Sequence, residues 1–511
     1  MTLEKNYDYI IVGAGSAGCV IARRLIDQSN AKVLLLEAGG SHAGMSRLTN
    51  STEWPFNMGS EQDYRYNYEP NPYINNRKID VPRGKGVGGS GSINAMVWSR
   101  GNKYDYDGWA EAGNKGWDYA SVLPLFKKIE DWEDGETDFH GAGGPISVER
   151  SKDHPLFDAM VSAGQSYGMP YVDDINGPNI EGIGRGVLNV KNEIRQSPAM
   201  YLEPIMDHEN FTLLTYAKVL KLNFEGKRCI GLDFIQNEKS CTVKASEEVI
   251  LCAGAIDTPR ILMLSGIGDP EEFKKLDIHP VTDLPGVGKN LQDHIFLNGL
   301  CFESKEPLGE YNSNLASSTI HWKSRYDLPS SDLMFFAAQI PVLTPDLAKQ
   351  YPPVPANTFS ILPSLLQSNT RGYIKMKTSK HDGPLEIQYN MLEDPADMDA
   401  LVQAVRISFD LIAKPAFKEL MGDWAIPGKS IEDRESIVSF IRDAASSYWH
   451  VAGTCAMGNS KASVVSDQLL VRGIDGLRIA DASVMPKITT SNTQAPTMMI
   501  GEFAARLILG K

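Results

Sequence analysis

Gly13, Gly15 and Gly18 stand in the spacing GxGxxG, and Glu37 follows 19 residues after the last of them. Glycine at these positions permits a tight turn, lets backbone approach a pyrophosphate, and allows a helix to pack closely on a strand. A carboxylate at that distance accepts hydrogen bonds from the hydroxyls of an adenosine ribose. The elements that must position these residues are present. Tyr9 to Val12 is a short apolar run that breaks on the glycines and passes into a helical pattern, and Lys32 to Leu36 is a second run that stops at Glu37. Strand, glycine turn, helix and strand point the helix N-terminus at a negative charge. The motif predicts a dinucleotide site and leaves NAD and FAD both open.

Composition narrows the class. A chain of 511 residues exceeds one small core, and roughly 150 residues per domain suggests two or three domains. The formal net charge of −14 argues against nucleic acid and anionic membrane surfaces as partners. No run of about 18 apolar residues offers a membrane span, and an early first strand leaves no room for a signal peptide. The six cysteines are scattered without CxxC spacing, so reduced thiols in a cytoplasm and no metal site are expected.

Along the chain, residues 41 to 80 lack a period and hold Tyr64, Tyr66, Tyr68 and Tyr73, as a lid or cofactor cover would. A second glycine-rich stretch, RGKGVGGSGSIN at 83 to 94, is no phosphate-binding P-loop, because no GK[ST] follows. Its small residues suit backbone packed against a large planar ligand. Helices are expected over 117–132, 156–167, 258–265, 397–413 and 497–509, and strands near 212–224, 229–236, 247–255, 358–366, 371–378 and 385–392.

Four stretches together identify a family: the N-terminal fingerprint, RGKGVGGSGSIN, GAIDTPRILMLSGIG at 254 to 268, and HVAGTCAMG at 450 to 458 with GLRIADASVMP and NTQAPTMMIGE behind it. The chain resembles the glucose-methanol-choline (GMC) oxidoreductases from end to end, and LPGVGKNLQDH and LEIQYNMLEDPADMDAL agree. The resemblance implies an α/β fold. A Rossmann-like FAD-binding domain would be built from discontinuous segments (1–150, 211–300 and 446–511). A substrate-binding domain (151–210 and 301–445) would carry an antiparallel sheet flanked by helices. It implies Gly13, Gly15 and Gly18 at the pyrophosphate, Glu37 at the ribose, and the backbone of Val219 at the adenine. Val87, Gly88, Ser92, Asn94, Ala95 and Met96 would lie along the isoalloxazine and its linker, and Asp481, Thr497 and Met498 near the pyrophosphate, ribityl and pyrimidine end. Some members attach the flavin through a histidine just before the asparagine; Ile93 stands there, so non-covalent FAD is expected.

The resemblance also implies oxidation of a primary alcohol, with hydride transfer to flavin N5. Histidine suits the accompanying proton abstraction, and His450 aligns with the family's base. The family's second position, usually His or Asn, falls on Gln494 in this register, with Asn492 two residues earlier; an amide can orient a hydroxyl and cannot act as a base. Trp449 would wall the substrate pocket. His294 is read as structural, and His321 as lying on a sheet surface. YWHVAGT favours an aryl-methanol or pyridoxine-type alcohol over a choline-type one, with O2 or another acceptor open. A hydroxynitrile lyase or a fatty-acid photodecarboxylase would share the fingerprints.

Overall fold

The first strand, Asn6–Val12, sits inside a sheet because its apolar run is buried on both faces; Ile10 and Ile11 have no exposure at all. In this computed structural model, which describes residues 4–41 and 44–511, the strand pairs in parallel with Val33–Leu36 on one side. On the other it pairs with the C-terminal half of Lys239–Leu251. Phe211–Leu214 and Leu477–Ile479 extend the parallel region outward. The N-terminal half of Lys239–Leu251 instead joins an antiparallel meander with Arg228–Gln236 and Ala217–Glu225. Among the described residues this sheet has seven strands, drawn from parts of the chain up to 470 residues apart. Helix Ser16–Gln28 packs against the last helix, Gln494–Ile508. That approach needs Gly501, where an added Cβ would stand 2.9 Å from the Ala17 carbonyl oxygen.

The second sheet is antiparallel, with eight strands among the described residues. Thr358–Leu365 and Leu333–Ala338 form its centre and are buried throughout. Ala316–Trp322 and Gly182–Arg185 continue one side, Cys301–Ser304 and Met421–Ile426 the other. Helices Pro155–Tyr167 and Pro395–Ile412 pack beside it. The chain therefore has the expected α/β class, a Rossmann-like sheet of discontinuous segments beside an antiparallel sheet flanked by helices. Strand pairing crosses the expected segmentation in places. Ile295–Leu297, counted with the nucleotide unit, pairs with Thr358–Leu365 and with Ala445–Ser447 in the second sheet. Tyr373–Met376 and Leu385–Gln388 form a hairpin of their own.

The helix expected from Thr258 begins four residues earlier, as Gly254–Leu264. Pro259 resembles a helix start because it lacks an N–H. Here it lies inside the helix and leaves the Ala255 carbonyl without its usual partner. The Thr454 hydroxyl donates to that oxygen at 2.6 Å, so the HVAGT string repairs a break 199 residues away. In the irregular segment, residues 42–43 lie outside the described residues. The rest is tied to the core by its tyrosines: Tyr66 donates to Asp257 and Tyr68 to Asp293.

Candidate active site

The three N-terminal glycines divide the work as their spacing predicts. Gly13 has φ +102°, and an added Cβ would meet the Cys252 carbonyl oxygen at 2.4 Å. Gly18 is excluded from substitution by the Gly13 carbonyl oxygen at 2.0 Å, the close packing of helix on turn. Gly15 alone of the three faces space, with no protein atom nearer than 3.9 Å to its added Cβ. It lines a cleft of about 1240 Å³ together with Ser16, Glu37, Val219, Asp481 and Thr497. The helix behind it starts at Ser16 without a side-chain cap, so its first N–H groups are free for an anion. Glu37 is buried and accepts from the Ala14 and Gly39 amides at 3.0 and 2.8 Å; burial raises its pKa. Asp481 accepts from the Gly254 amide, the Thr258 hydroxyl and the Ser483 amide.

The second glycine stretch lies directly on the first. The Gly88 amide donates to the Ala14 carbonyl at 2.6 Å, and a Cβ on Gly89 would stand 2.8 Å from Gly15 Cα. Asn94, Ala95 and Met96 line a second cavity of about 1510 Å³. Arg83, Ser90, Thr493 and Gln494 line both cavities and mark where they meet. The residues present fit a dinucleotide with a planar group reaching toward the second cavity: a bare glycine, an uncapped helix start and a buried carboxylate occur where such a ligand needs them. Gly18, Val87, Gly88, Ser92 and Met498 line neither cavity. They support the loops that do: Ser92 donates to the Val87 carbonyl, and the Met498 sulfur accepts from Gln494.

The second cavity carries a titratable imidazole. Trp449 and His450 line it. Trp449 has φ +64°, an uncommon conformation for a bulky residue that clusters at functional sites. Its carbonyl accepts from the half-buried Arg83 guanidinium. His450 is held at its backbone by Asp293, whose Oδ1 accepts from the His450 and His294 amides at 2.8 Å each. Oδ2 of the same carboxylate accepts from Tyr68 and Ser447. The His450 ring has two partners: His294 Nδ1 lies 2.9 Å from its Nδ1, and Asn492 Nδ2 lies 3.3 Å from its Nε2. Burial first, then His294 and Arg83, hold His450 well below its ordinary pKa of 6.5, and burial pushes His294 down to about 3.

Two expectations change. Gln494, expected beside His450, has its carbonyl oxygen on the Ser16 hydroxyl at 3.0 Å and its amide nitrogen on Met498. It begins the closing helix, whereas Asn492 precedes the helix and reaches the imidazole. His321 is fully buried in Ala316–Trp322, with neither ring nitrogen hydrogen-bonded, and does not lie on a surface. The sequence reading also missed Arg83 and the aromatic walls Trp54, Phe296, Phe336 and Tyr448. No signal short of the three-dimensional pairing marks them, although NLQDH flagged His294. Among the described residues there is no cluster fit for a metal ion, and no helix is long and apolar enough to cross a membrane.

Comparison with known proteins gives the same picture. Residues 7–296 and 368–501 match the N- and C-terminal models of the GMC oxidoreductases. An oxygen-dependent choline dehydrogenase of Paraburkholderia phymatum is 37% identical over 99% of this chain and 93% of its own length. A protein of the same name from Klebsiella pneumoniae is 36% identical over 99% and 96%. The solved structure of a pyridoxine 4-oxidase from Mesorbium loti superimposes with a TM-score of 0.93 at 28% identity, covering 98% of both chains. A fungal aryl-alcohol oxidase shares the fold, with a TM-score of 0.85 at 22% identity over 99% of each chain. On these matches, with the glycine cleft and the His450 cavity joined as described, the chain belongs to the GMC oxidoreductase family, FAD-dependent enzymes acting on alcohols.

Proposed function

We propose that the protein oxidises a primary alcohol to its aldehyde, with His450 as the base that takes the hydroxyl proton. The observation that carries this reading is the pair His450 Nε2 and Asn492 Nδ2, 3.3 Å apart, lining a cavity that meets the dinucleotide cleft. A hydroxyl between them donates to Nε2 and accepts from Nδ2. Bound FAD supplies the acceptor for the carbinol hydride. As Nε2 takes the O–H proton, the carbinol hydrogen would leave with the C–H electron pair as hydride to that acceptor, and the freed O–H pair would complete the C=O bond. His450 is neutral at working pH and so ready to accept the proton. Gly13, Gly15, Glu37, Val219, Asp481 and Thr497 would hold the cofactor's ADP half and linker. Asn94, Ala95 and Met96 would stand at its ring end.

For the substrate, the relatives' names favour a choline-type alcohol over an aryl-methanol or pyridoxine-type one. The cavity supports this through its rings, since Trp54, Phe296, Phe336, Tyr448 and Trp449 offer aromatic faces to a quaternary ammonium. A second reading keeps the aryl-methanol or pyridoxine-type alcohol, because among the described residues no Asp or Glu lines the cavity and its one formal charge is the cation Arg83. Anaerobic flavin reduction by choline and by benzyl alcohol or pyridoxine separates the two, and admission of air then tests O2 as acceptor. If no alcohol bleaches the flavin, the oxidoreductase reading fails and the lyase and photodecarboxylase classes take its place. Non-covalent attachment is supported by Ile93, which has no group to form a link; flavin carried down in an acid-precipitated pellet would contradict it. Six free thiols, five of them buried, accord with a reducing cytoplasm.

A further inference from the structure

We infer that His294, read from the sequence as structural, is a positioning residue that fixes which nitrogen of His450 carries the proton. The inference rests on the proposed role of His450 as base. It begins at the Thr489 carbonyl oxygen, 2.9 Å from His294 Nε2. A carbonyl only accepts, so His294 Nε2 bears the hydrogen. A neutral imidazole has one N–H, which leaves a lone pair on His294 Nδ1. That nitrogen lies 2.9 Å from His450 Nδ1. Two ring nitrogens at that distance share one hydrogen, so His450 Nδ1 donates it.

His450 Nε2 therefore carries the lone pair, and it is the nitrogen beside Asn492 in the substrate cavity. The donor amide Nδ2 facing Nε2 agrees with this assignment. Asp293 fixes the spacing by accepting both backbone amides on one oxygen, and the rings stand nearly perpendicular, at 86°. Four residues, Thr489 to Asn492, thus set both ends of the relay: a carbonyl at one end and an amide donor at the other. The arrangement also serves the protonated state. Once Nε2 has taken the hydroxyl proton, the imidazolium still donates from Nδ1 to His294, now as a charge-assisted bond. Without His294, the buried Nδ1–H loses its acceptor and the ring gains by moving its hydrogen to Nε2, where it cannot act as a base. The charged and titratable groups around the pair are Arg83, Asp293, Tyr68 and Tyr448, and the His450 Nδ1 bond given by the structure is to His294.

The test uses the flavin-loaded full chain. In the wild type, 15N NMR of labelled histidine, with His450 assigned by difference against His450→Ala, is expected to show the Nδ1–H tautomer; an Nε2–H tautomer overturns the inference. His294→Leu is expected to keep its flavin and slow anaerobic flavin reduction by about 100-fold or more, with the Kd for alcohol changed less than about threefold. His294→Asn, which restores an acceptor near the Nδ1 position, is expected to recover to within about tenfold of wild type. Reduction of His294→Leu at a near wild-type rate, while His450→Ala is slow, overturns the role of His294 and leaves His450 as base. Fast reduction of His450→Ala overturns the proposed function itself. If His294→Leu fails to fold, the wild-type tautomer and His294→Asn still decide.

Discussion

Replacing Asn492 by alanine removes the only amide donor that reaches His450 Nε2 among the described residues. The 3.3 Å separation is long for a hydrogen bond, and Asn492 Oδ1 is buried without a partner. Asn492 thus keeps its oxygen unpartnered in the resting structure, while its side chain also faces the Tyr448 hydroxyl. When an alcohol enters, its oxygen accepts a neutral hydrogen bond worth about 0.5–1.5 kcal/mol, which becomes charge-assisted, about 1.5–3 kcal/mol, as the proton leaves. The difference of about 1–2 kcal/mol acts on the transition state alone, and at about 1.36 kcal/mol per decade it corresponds to about 5- to 30-fold in the rate of flavin reduction. The whole charge-assisted bond corresponds to about 10- to 150-fold in the second-order rate constant. Stopped-flow reduction of Asn492→Ala under anaerobic conditions, over a range of alcohol concentrations, measures both. Gln494→Ala is the control. It loses a neutral bond to Ser16 and is expected to reduce within about threefold of wild type. If Asn492→Ala reduces normally while Gln494→Ala slows tenfold, the assignment of the orienting amide is wrong and Gln494 holds that role.

The glycine roles separate by the same logic. Gly15→Ala meets no protein atom within 3.9 Å, so it is expected to keep the wild-type melting temperature of the apoprotein while losing flavin; Gly18→Ala, with its Cβ 2.0 Å from a carbonyl oxygen, is expected to lose stability as well. Flavin absorbance per protein and a thermal melt distinguish them. Because His450 is held well below 6.5, the base is neutral above that pH. Flavin reduction is expected to be flat from about pH 6.5 upward with its loss confined to more acid pH; a limb centred above pH 7 that His450→Ala abolishes would refute this. The same burial has a stability sign. With His294 pushed down to about 3, the unfolded chain binds a proton that the folded chain does not between pH 6.5 and 3. Its contribution is therefore complete above about pH 6.5 and declines as pH falls toward 3, as denaturant titrations at stepped pH will show. Glu130→Ala strands the buried Arg100 and is expected to cost about 3–5 kcal/mol without altering flavin reduction.

What the sequence made legible was local. Gly13, Gly18 and Glu37 lie within one strand–turn–helix–strand unit; the positive φ of Gly13 and the Gly13 carbonyl that crowds Gly18 are local demands, although Gly13 is also crowded by the distant Cys252. The helix at 254 was misplaced because Pro259 is a local start signal, whereas the Thr454 hydroxyl that cancels it is a long-range partner. Asn492 and Gln494 differ by two residues, yet one precedes the cap of the closing helix and the other begins it. That step sends their side chains to different partners, and no motif register resolves it. His294 and His450 are 156 residues apart and join only because Ile295–Leu297 pairs with Ala445–Ser447. His321 was placed at a surface because the local sequence does not reveal that the strand carrying it is buried along most of its length.

The closing helix touches the cofactor turn twice, through Gln494 on Ser16 and through Gly501 on Ala17, and the strand Leu477–Ile479 completes the sheet beside Lys239–Leu251. This has a consequence for biogenesis. During synthesis the glycine turn emerges long before its partners, and the cleft lacks Thr493, Gln494 and Thr497 until the start of the closing helix has been made. Domains tend to fold from the N-terminus as they are synthesised; here the nucleotide unit must wait for the closing helix, whose Gln494 lies 478 residues after its partner Ser16. Flavin capture is thus expected to follow synthesis of the closing helix, and until Leu477–Ile479 has been made the strand Lys239–Leu251 presents an open edge.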